Sequence, residues 1–297
     1  AVTTGIQNVI IGAIAGDALT DGDKNVALGT AALGSDTRGN FSTAIGHGAL
    51  NTQNTTNDDD MYNTAVGYLA GLAVSTGTHN TLIGGLAGDA LNTGYYNTVL
   101  GYGALTTDDV GQASTAIGMG ALALQNIASG AHTLNTAVGY NSSYYNVTGT
   151  ANTTLGYNAG LGASGNSNSS NTFIGYAAGY AITTGNSNTC LGITSGYAIT
   201  SGDNNLFAGK DAGRTGSPGG NYTTHDNKIV LGDENIDAAN IQVDWTVASD
   251  ERDKTDFTAL DLGLDFVKAL SPVTYKWDKR AKYIDKTDVT TRDEDGN

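Results

Sequence analysis

A five-residue motif, with polar residues first and an aliphatic residue before a closing glycine, recurs along most of this chain. It reads Asn, Thr, any residue, an aliphatic residue and Gly, as at 80–84 and 97–101. The closing glycines are Gly12, Gly29, Gly46, Gly67, Gly84, Gly101, Gly118, Gly139, Gly156, Gly175, Gly192, Gly209 and Gly232. Their position numbers rise by 17 at eight of the twelve steps, and by 19, 21, 21 or 23 at the other four. A short fixed period of this kind predicts a solenoid in which each repeat forms one coil.

The repeat motif itself predicts how each coil contributes a strand. Residues two apart on a strand share a face, so the Thr position and the aliphatic position face the same side. Stacked coils would then form ladders of Asn, Thr and aliphatic side chains, and the glycine would end each strand where the chain bends. We therefore expect a mainly β fold, a solenoid or β-roll of about 13 coils over residues 1–232.

Composition divides the chain near Ala248. Residues 1–248 hold 17 acidic and 5 basic side chains, whereas residues 249–297 hold 12 and 9, and 40 of the 42 glycines precede position 249. We expect a repetitive shaft over 1–232, a β junction over 233–248 and a separate domain over 249–297. The net charge of −15 argues against nucleic-acid binding and against binding to anionic membranes, and no apolar run is long enough to span a bilayer.

The charged tail has its own pattern. Apolar residues alternate from Ile241 to Val247, which predicts a strand, and then recur at helical spacing from Leu260 to Leu270. Pro272 ends that helix, and a further strand follows. This is the beginning of a small α+β unit, and we expect the native protein or its precursor to continue beyond residue 297. The N-terminus is either a processed end or a fragment boundary.

The repeat motifs at 171–179 and 188–192 resemble those of trimeric β-roll heads. Such heads occur in trimeric autotransporter adhesins and in shaft or tip segments of phage tail fibres. The resemblance covers about residues 6–232 and implies a homotrimeric left-handed β-roll.

The most specific motif begins the tail, at 249–254, and continues at 263–277. It resembles the start of the C-terminal intramolecular chaperone of phage tail fibres, tailspikes and endosialidases. That resemblance implies a domain that assembles the trimer and then cleaves itself off between Ala248 and Ser249, with Ser249 as nucleophile and Lys254 as its base. A neutral amine beside a hydroxyl can accept its proton, as in other Ser-Lys systems. The alternative is that the two residues belong to a solvated, charged start of the domain.

Departures from the period are candidate receptor contacts, because irregular loops on a regular scaffold often bind partners. The predicted positions are Asp58, Asp59 and Asp60 in an insertion, and the pairs Tyr95, Tyr96 and Tyr144, Tyr145, which could stack on sugar rings. A solvated loop and packing between chains are the respective alternatives.

Other chemistry finds little support in the sequence. His47, His79, His132 and His225 lack ligand spacing, and a dinucleotide-like Gly pattern at 160–165 falls in a repeat turn. Cys190 occupies a column that it shares with Ala137 and Phe173, which predicts a packed residue rather than a reactive thiol. We expect no cofactor and no metal.

These observations lead to one leading hypothesis for function: a homotrimeric phage tail-fibre protein of the virion that contacts a host cell-surface receptor, expected to be a glycan, and other tail or baseplate proteins. Enzymatic activity would be limited to single-turnover self-cleavage, with none directed at a substrate. The alternatives are a cellular trimeric adhesin head and a polysaccharide-degrading tailspike, which would need two carboxylates about 5–10 Å apart.

Overall fold

The computed structural model describes residues 2–128, 131–242 and 270. It contains thirteen three-residue strands, one at every repeat motif. They are β1 (Val9–Ile11), β2 (Val26–Leu28), β3 (Thr43–Ile45), β4 (Thr64–Val66), β5 (Thr81–Ile83), β6 (Thr98–Leu100), β7 (Thr115–Ile117), β8 (Thr136–Val138), β9 (Thr153–Leu155), β10 (Thr172–Ile174), β11 (Thr189–Leu191), β12 (Leu206–Ala208) and β13 (Ile229–Leu231). All pair in parallel, in chain order, in one sheet. The described chain is therefore a parallel β-solenoid of about 13 coils and contains no helix, as the period predicts.

The register places equivalent residues of successive coils side by side. Thr81 pairs with Thr98, Leu82 with Val99, and Ile83 with Leu100. Strand side chains alternate between the two faces, so the middle residue points inward while its two neighbours point outward. Leu82 and Val99 are fully buried, whereas Leu100 is 46% exposed. The predicted sharing of a face by the Thr and aliphatic columns is confirmed, and this face is the outer one.

The core is a column of the inward strand residues and of small or apolar residues from the turns. It forms two clusters, one from Ala15 to Ala137 and one from Ala159 to Val230. Between them Thr154 occupies the inward position, where its hydroxyl accepts a hydrogen bond from Oγ of Ser142 at 2.7 Å and shares another with Oγ of Ser143 at 3.0 Å. Cys190 lies fully buried in the second cluster, as predicted, and burial raises the pKa of its thiol.

Buried asparagines bind successive coils to one another. The backbone N–H of Asn97 donates to Oδ1 of Asn80 at 3.0 Å, and Nδ2 of Asn80 donates to the Gly94 carbonyl at 2.9 Å. The same pair of bonds recurs at most coils, as at Asn171 and Asn188. Each amide side chain thus satisfies backbone groups that would otherwise be buried without partners.

Beyond β13 the solenoid ends. Residues 233–242 contain no strand, so any strand of the predicted β junction is confined to 243–248, outside the described residues. The chain divides into two compact units, Ala1–Ala239 and Asn240–Asn297. The predicted helix from Leu260 to Leu270 and the strand after Pro272 also lie outside the described part of the chain, apart from Leu270 itself. Within the described residues, no helix is long and apolar enough to cross a membrane.

Candidate functional site

The predicted cleavage site belongs to the C-terminal unit. Ala248, Ser249 and Lys254 all lie outside the described residues, so the Ser-Lys pair remains a prediction from the sequence. The remaining candidates lie on the solenoid, where the structure defines their contacts.

The three aspartates of the insertion are exposed, and the carboxylates of two of them have separate partners. Asp59 accepts a short hydrogen bond from the hydroxyl of Thr55. Asp60 accepts hydrogen bonds from the hydroxyl of Tyr62 at 3.2 Å and from Nδ2 of Asn40 at 3.4 Å. In the part of the chain that the structure describes, no three His, Cys, Asp or Glu residues are grouped so that they could hold a metal ion. The insertion therefore presents carboxylates to solvent individually.

Tyr96 belongs to an aromatic ladder that the sequence pattern did not predict. Rings from successive coils contact one another at centroid distances of 5.0–5.1 Å, and the members are Phe41, Tyr62, His79 and Tyr96. The first pair is stacked, whereas the other two pairs are tilted by 41° and 53°. Their position numbers rise by the same intervals as those of Gly46, Gly67, Gly84 and Gly101, and this match was the available signal. Each ring of the ladder is therefore in contact with a neighbouring ring, and Tyr96, at the end of the ladder, keeps 57% of its surface exposed.

The ring of Tyr95 also contacts other aromatic residues of its own chain. Its ring meets Tyr96 edge-on at 5.1 Å and His132 edge-on at 6.4 Å. The predicted pair of tyrosines therefore joins two features: Tyr96 belongs to the aromatic ladder, and Tyr95 contacts His132 of a second insertion.

Tyr62, another member of the ladder, has a perturbed hydroxyl. Loss of hydration and the carboxylate of Asp60 raise the pKa of the Tyr62 hydroxyl.

The other predicted pair lies elsewhere on the surface. Tyr144 and Tyr145 contact each other edge-on at 4.8 Å. Tyr144 also lines an open groove of about 300 Å³, together with Tyr102, Met119 and Asn141. The groove exists because glycines occupy one corner position in two successive coils, where most coils have a larger side chain: Gly103 and Gly120 follow Leu69 and Leu86 in that column. Tyr102 is 61% exposed at its rim.

Two of the insertions do more than extend loops, because each sends a glutamine into the core. Two coils have Ser instead of Asn in the amide ladder, and there Gln53 or Gln125 replaces the missing amide. Nε2 of Gln53 donates to Oγ of Ser42 at 2.9 Å and to the carboxylate of Asp36, while Nδ2 of Asn63 donates to Oε1 of Gln53 at 2.9 Å. We call each such group of buried polar side chains a plug.

The second plug repeats the first, with every member shifted along the chain by the same interval. Its members are Asp108, Ser114, Gln125 and Asn135, with matching hydrogen bonds. Asp36 and Asp108 are fully buried, and desolvation raises the pKa of both carboxyl groups despite the amide and backbone donors. The shift equals four coils, three with the basic period and one with an insertion, so the larger repeat of this region is a four-coil unit.

Comparison with known proteins bears on the tail. Residues 249–293 match the family model described as the chaperone of endosialidase. No curated protein and no solved structure gives a significant match to the chain. The matched segment begins at Ser249, immediately after the bond that the sequence motif predicts to be cleaved. A solenoid of about 13 coils followed by the start of a chaperone-of-endosialidase domain fits a phage tail fibre with a C-terminal chaperone domain.

Proposed function

We propose that this chain is a structural and host-adhesion component of a phage tail fibre, and that it works as a homotrimer in the virion. The observation that carries the proposal is the order of parts: a regular parallel solenoid precedes a chaperone-of-endosialidase segment at 249–293. The solenoid serves as the shaft and adhesive region over 1–232, 233–248 is a junction, and 249–297 belongs to the chaperone.

The proposal requires a defined assembly. Sedimentation of the purified chain at micromolar concentration should give three times the mass of one 30.3 kDa chain. A single-chain mass across the concentration range would remove the trimer from the proposal.

Adhesion is assigned to the irregular part of the surface, and the expected receptor is a host glycan. The exposed insertion that contains Asp58 and Asp59 ends at Asp60, whose carboxylate meets the hydroxyl edge of the Tyr62 ring. Carboxylates beside aromatic rings suit recognition of hydroxyl-rich, apolar-faced sugars. Fluorescently labelled protein should bind host cells, and periodate oxidation of the cell-surface sugars should abolish binding.

Changing all three aspartates of the insertion to Asn should weaken cell binding while sedimentation stays that of native protein. Matched changes to Asn at Asp203, Asp226 and Asp237 provide the control, because those residues are also exposed but lie in the last coils of the solenoid or just after them. Undiminished binding by the first variant would remove this site from the proposal.

The chaperone segment is proposed to cleave itself once. Oγ of Ser249 would attack the carbonyl carbon of Ala248 while Lys254 accepts the hydroxyl proton. The C–N bond between Ala248 and Ser249 would then break as Lys254 returns that proton to the Ser249 nitrogen, which leaves Ala248 joined to Ser249 through an ester. Water would hydrolyse this ester, releasing the Ala248 carboxylate and leaving Ser249 with a free hydroxyl and a free amine. Mass spectrometry should find a new terminus at Ser249 in native protein and none in the Ser249→Ala variant. Lys254→Arg, which keeps the charge but cannot serve as a base at neutral pH, should also remain intact. Cleavage that persists in both variants would contradict the assignment.

A further inference from the structure

The outward face of the sheet is uncharged over all thirteen strands and largely apolar. We define this outer face as the first and third residues of each strand. Thr fills the first position in most coils, and an aliphatic residue fills the third. Representative side chains are substantially exposed: Ile11 at 59%, Leu100 at 46%, Leu155 at 47% and Leu191 at 50%. A contiguous apolar surface of this extent is unusual for a protein that acts alone.

A second strip adjoins the outer face. It consists of the residue after each closing glycine, and we call it the aromatic column. In the middle of the solenoid its members are His47, Tyr68, Gly85, Tyr102, Met119, Tyr140, Tyr157, Tyr176 and Ile193. Tyr140, Tyr157 and Tyr176 stack at 5.1 and 5.3 Å. The groove beside Tyr102 and Met119 opens along this strip.

Acidic and basic residues avoid both strips along the middle of the solenoid. Between Arg38 and Lys210 the sequence has no basic residue, and its acidic residues are Asp58, Asp59, Asp60, Asp89, Asp108, Asp109 and Asp203. None of these lies on the outer face or in the aromatic column. Because the whole chain carries −15, contacts between identical copies are most favourable where acidic side chains do not face one another. These strips allow them to approach without opposing like charges.

We propose that the outer face of each chain packs in register against the aromatic column of the next copy, and that three such contacts close the assembly. The inference rests on the proposed trimer and specifies the surfaces that form it. A cyclic trimer uses a heterologous contact, so each chain must offer two different patches, and the two strips meet that need.

The dimensions agree with a stable interface. Twelve steps of about 4.8 Å give a strip about 60 Å long, and three strand residues make it about 10 Å wide. The outer face therefore offers about 600 Å². Covering it takes an equal area of the partner, the aromatic column together with the residues beside it, so the contact would total about 1,200 Å², above the roughly 1,000 Å² expected of a specific interface. The apolar groups recur at the coil repeat along the strip, and a second copy of this chain has the same repeat. A receptor of different period would not match it.

The test adds charge to the outer face. A full-length variant with Leu100→Glu, Leu155→Glu and Leu191→Glu keeps every inward residue, and its matched control has Thr76→Glu, Thr93→Glu and Thr184→Glu in the turns that close three coils. Native protein and the control should sediment at three times 30.3 kDa. The outer-face variant should sediment at the single-chain mass with its β circular dichroism retained.

Methionine oxidation provides a second measurement that needs no variant. Met119 belongs to the aromatic column and is 42% exposed in the single chain, whereas Met61 is 1% exposed and serves as the buried reference. In the native assembly peroxide should oxidise Met119 about as slowly as Met61.

The outcomes separate the two proposals. If native protein is a trimer but the outer-face variant is too, or if Met119 in the trimer oxidises rapidly, the assigned surfaces are wrong and the trimer stands. If native protein is a single chain, the trimer itself fails. If the variant does not fold, protection of Met119 in native trimers decides the matter.

Discussion

At the scale of single residues, the solenoid depends on backbone conformations that most side chains avoid. The closing glycines have φ between 111° and 144° in all but the last coil. A Cβ on Gly101 would lie 2.5 Å from the carbonyl oxygen of Gly118 in the next coil, so this position excludes any side chain. Other positive-φ corners tolerate ordinary residues, among them Tyr62 and Leu86, at φ of 50° and 57°. The requirement for glycine is thus set by the neighbouring coil as well as by φ.

This distinction gives a matched pair of substitutions. Gly101→Ala should lower the thermal midpoint markedly, because its backbone region costs a side-chain-bearing residue about 1–3 kcal/mol and the backbone contact adds to that cost. Gly103→Ala should cost less, only the roughly 1–2 kcal/mol of a left-handed backbone, since a Cβ there meets nothing within 4 Å and Leu86 adopts a φ of 57° in the same column. Thermal denaturation followed by circular dichroism compares them, and equal losses would contradict the explanation.

Asp36 and Asp108 make stability depend on pH in a direction opposite to that of most aspartates. Their folded-state pKa is raised by desolvation, so their ionisation destabilises the fold. That penalty is present at neutral pH, is relieved as pH falls through the folded-state pKa, and is gone below the ordinary value of 3.8.

Native protein should therefore melt at a higher temperature as pH is lowered from neutrality toward the ordinary aspartate pKa. A variant with Asp36→Asn and Asp108→Asn should lose most of this slope, whatever its baseline stability. Asp58→Asn is the control, because that carboxylate is exposed. Identical slopes in all three proteins would show that the buried pair does not contribute.

At the scale of elements, the coil is the unit, and its amide ladder makes it cooperative. One coil alone buries too little to offset the conformational entropy of ordering it, about 1–2 kcal/mol per residue. Hydrogen bonds such as Asn97 N–H to Asn80 Oδ1 join one coil to the next, so stability resides in the interfaces between neighbours. Where Ser42 and Ser114 break the ladder, a glutamine from the insertion restores it.

A whole coil should therefore be removable. Deleting residues 81–97 joins Asn80 to Thr98, after which Asn80 Nδ2 can donate to the Gly111 carbonyl as Asn97 does in the native chain. We expect a folded protein with a slightly lower thermal midpoint. Deleting residues 81–98 shifts the strand by one position, moves outward side chains into the core, and should abolish cooperative melting. Similar melting of the two deletions would refute the role of register.

At the scale of the whole molecule, charges on the solenoid concentrate toward its first and last coils. Lys210 and Arg214 form ion pairs with Asp211 at 3.2 and 2.5 Å, and Arg214 also lies over the ring of Tyr197. Polar terminal coils are typical of solenoids, because end coils have a face without a neighbour. The middle coils have no Lys or Arg between Arg38 and Lys210, which agrees with the proposed contact between chains on their outer face.

The fold was largely predictable from the sequence because a fixed period places equivalent residues of successive coils next to one another. The spacing of glycines gave the strand positions and the number of coils, and the two-residue alternation gave the pairing of the Thr and aliphatic columns on one face. The candidate site was less accessible. The ladder that contains Tyr62 and His79 joins rings on separate coils, and adjacency of such residues follows only once the coils are stacked.

The sequence by itself thus determined the period, the parallel stacking and the presence of a chaperone segment after the solenoid. The tertiary structure decided which face is buried. Both faces of each strand carry apolar residues, Leu82 inward and Ile83 outward for example, so hydrophobicity does not distinguish them. The direction in which a coil closes does, because only one face can meet the turns of its own chain. The same closure turned two insertions inward and made Gln53 and Gln125 part of the core.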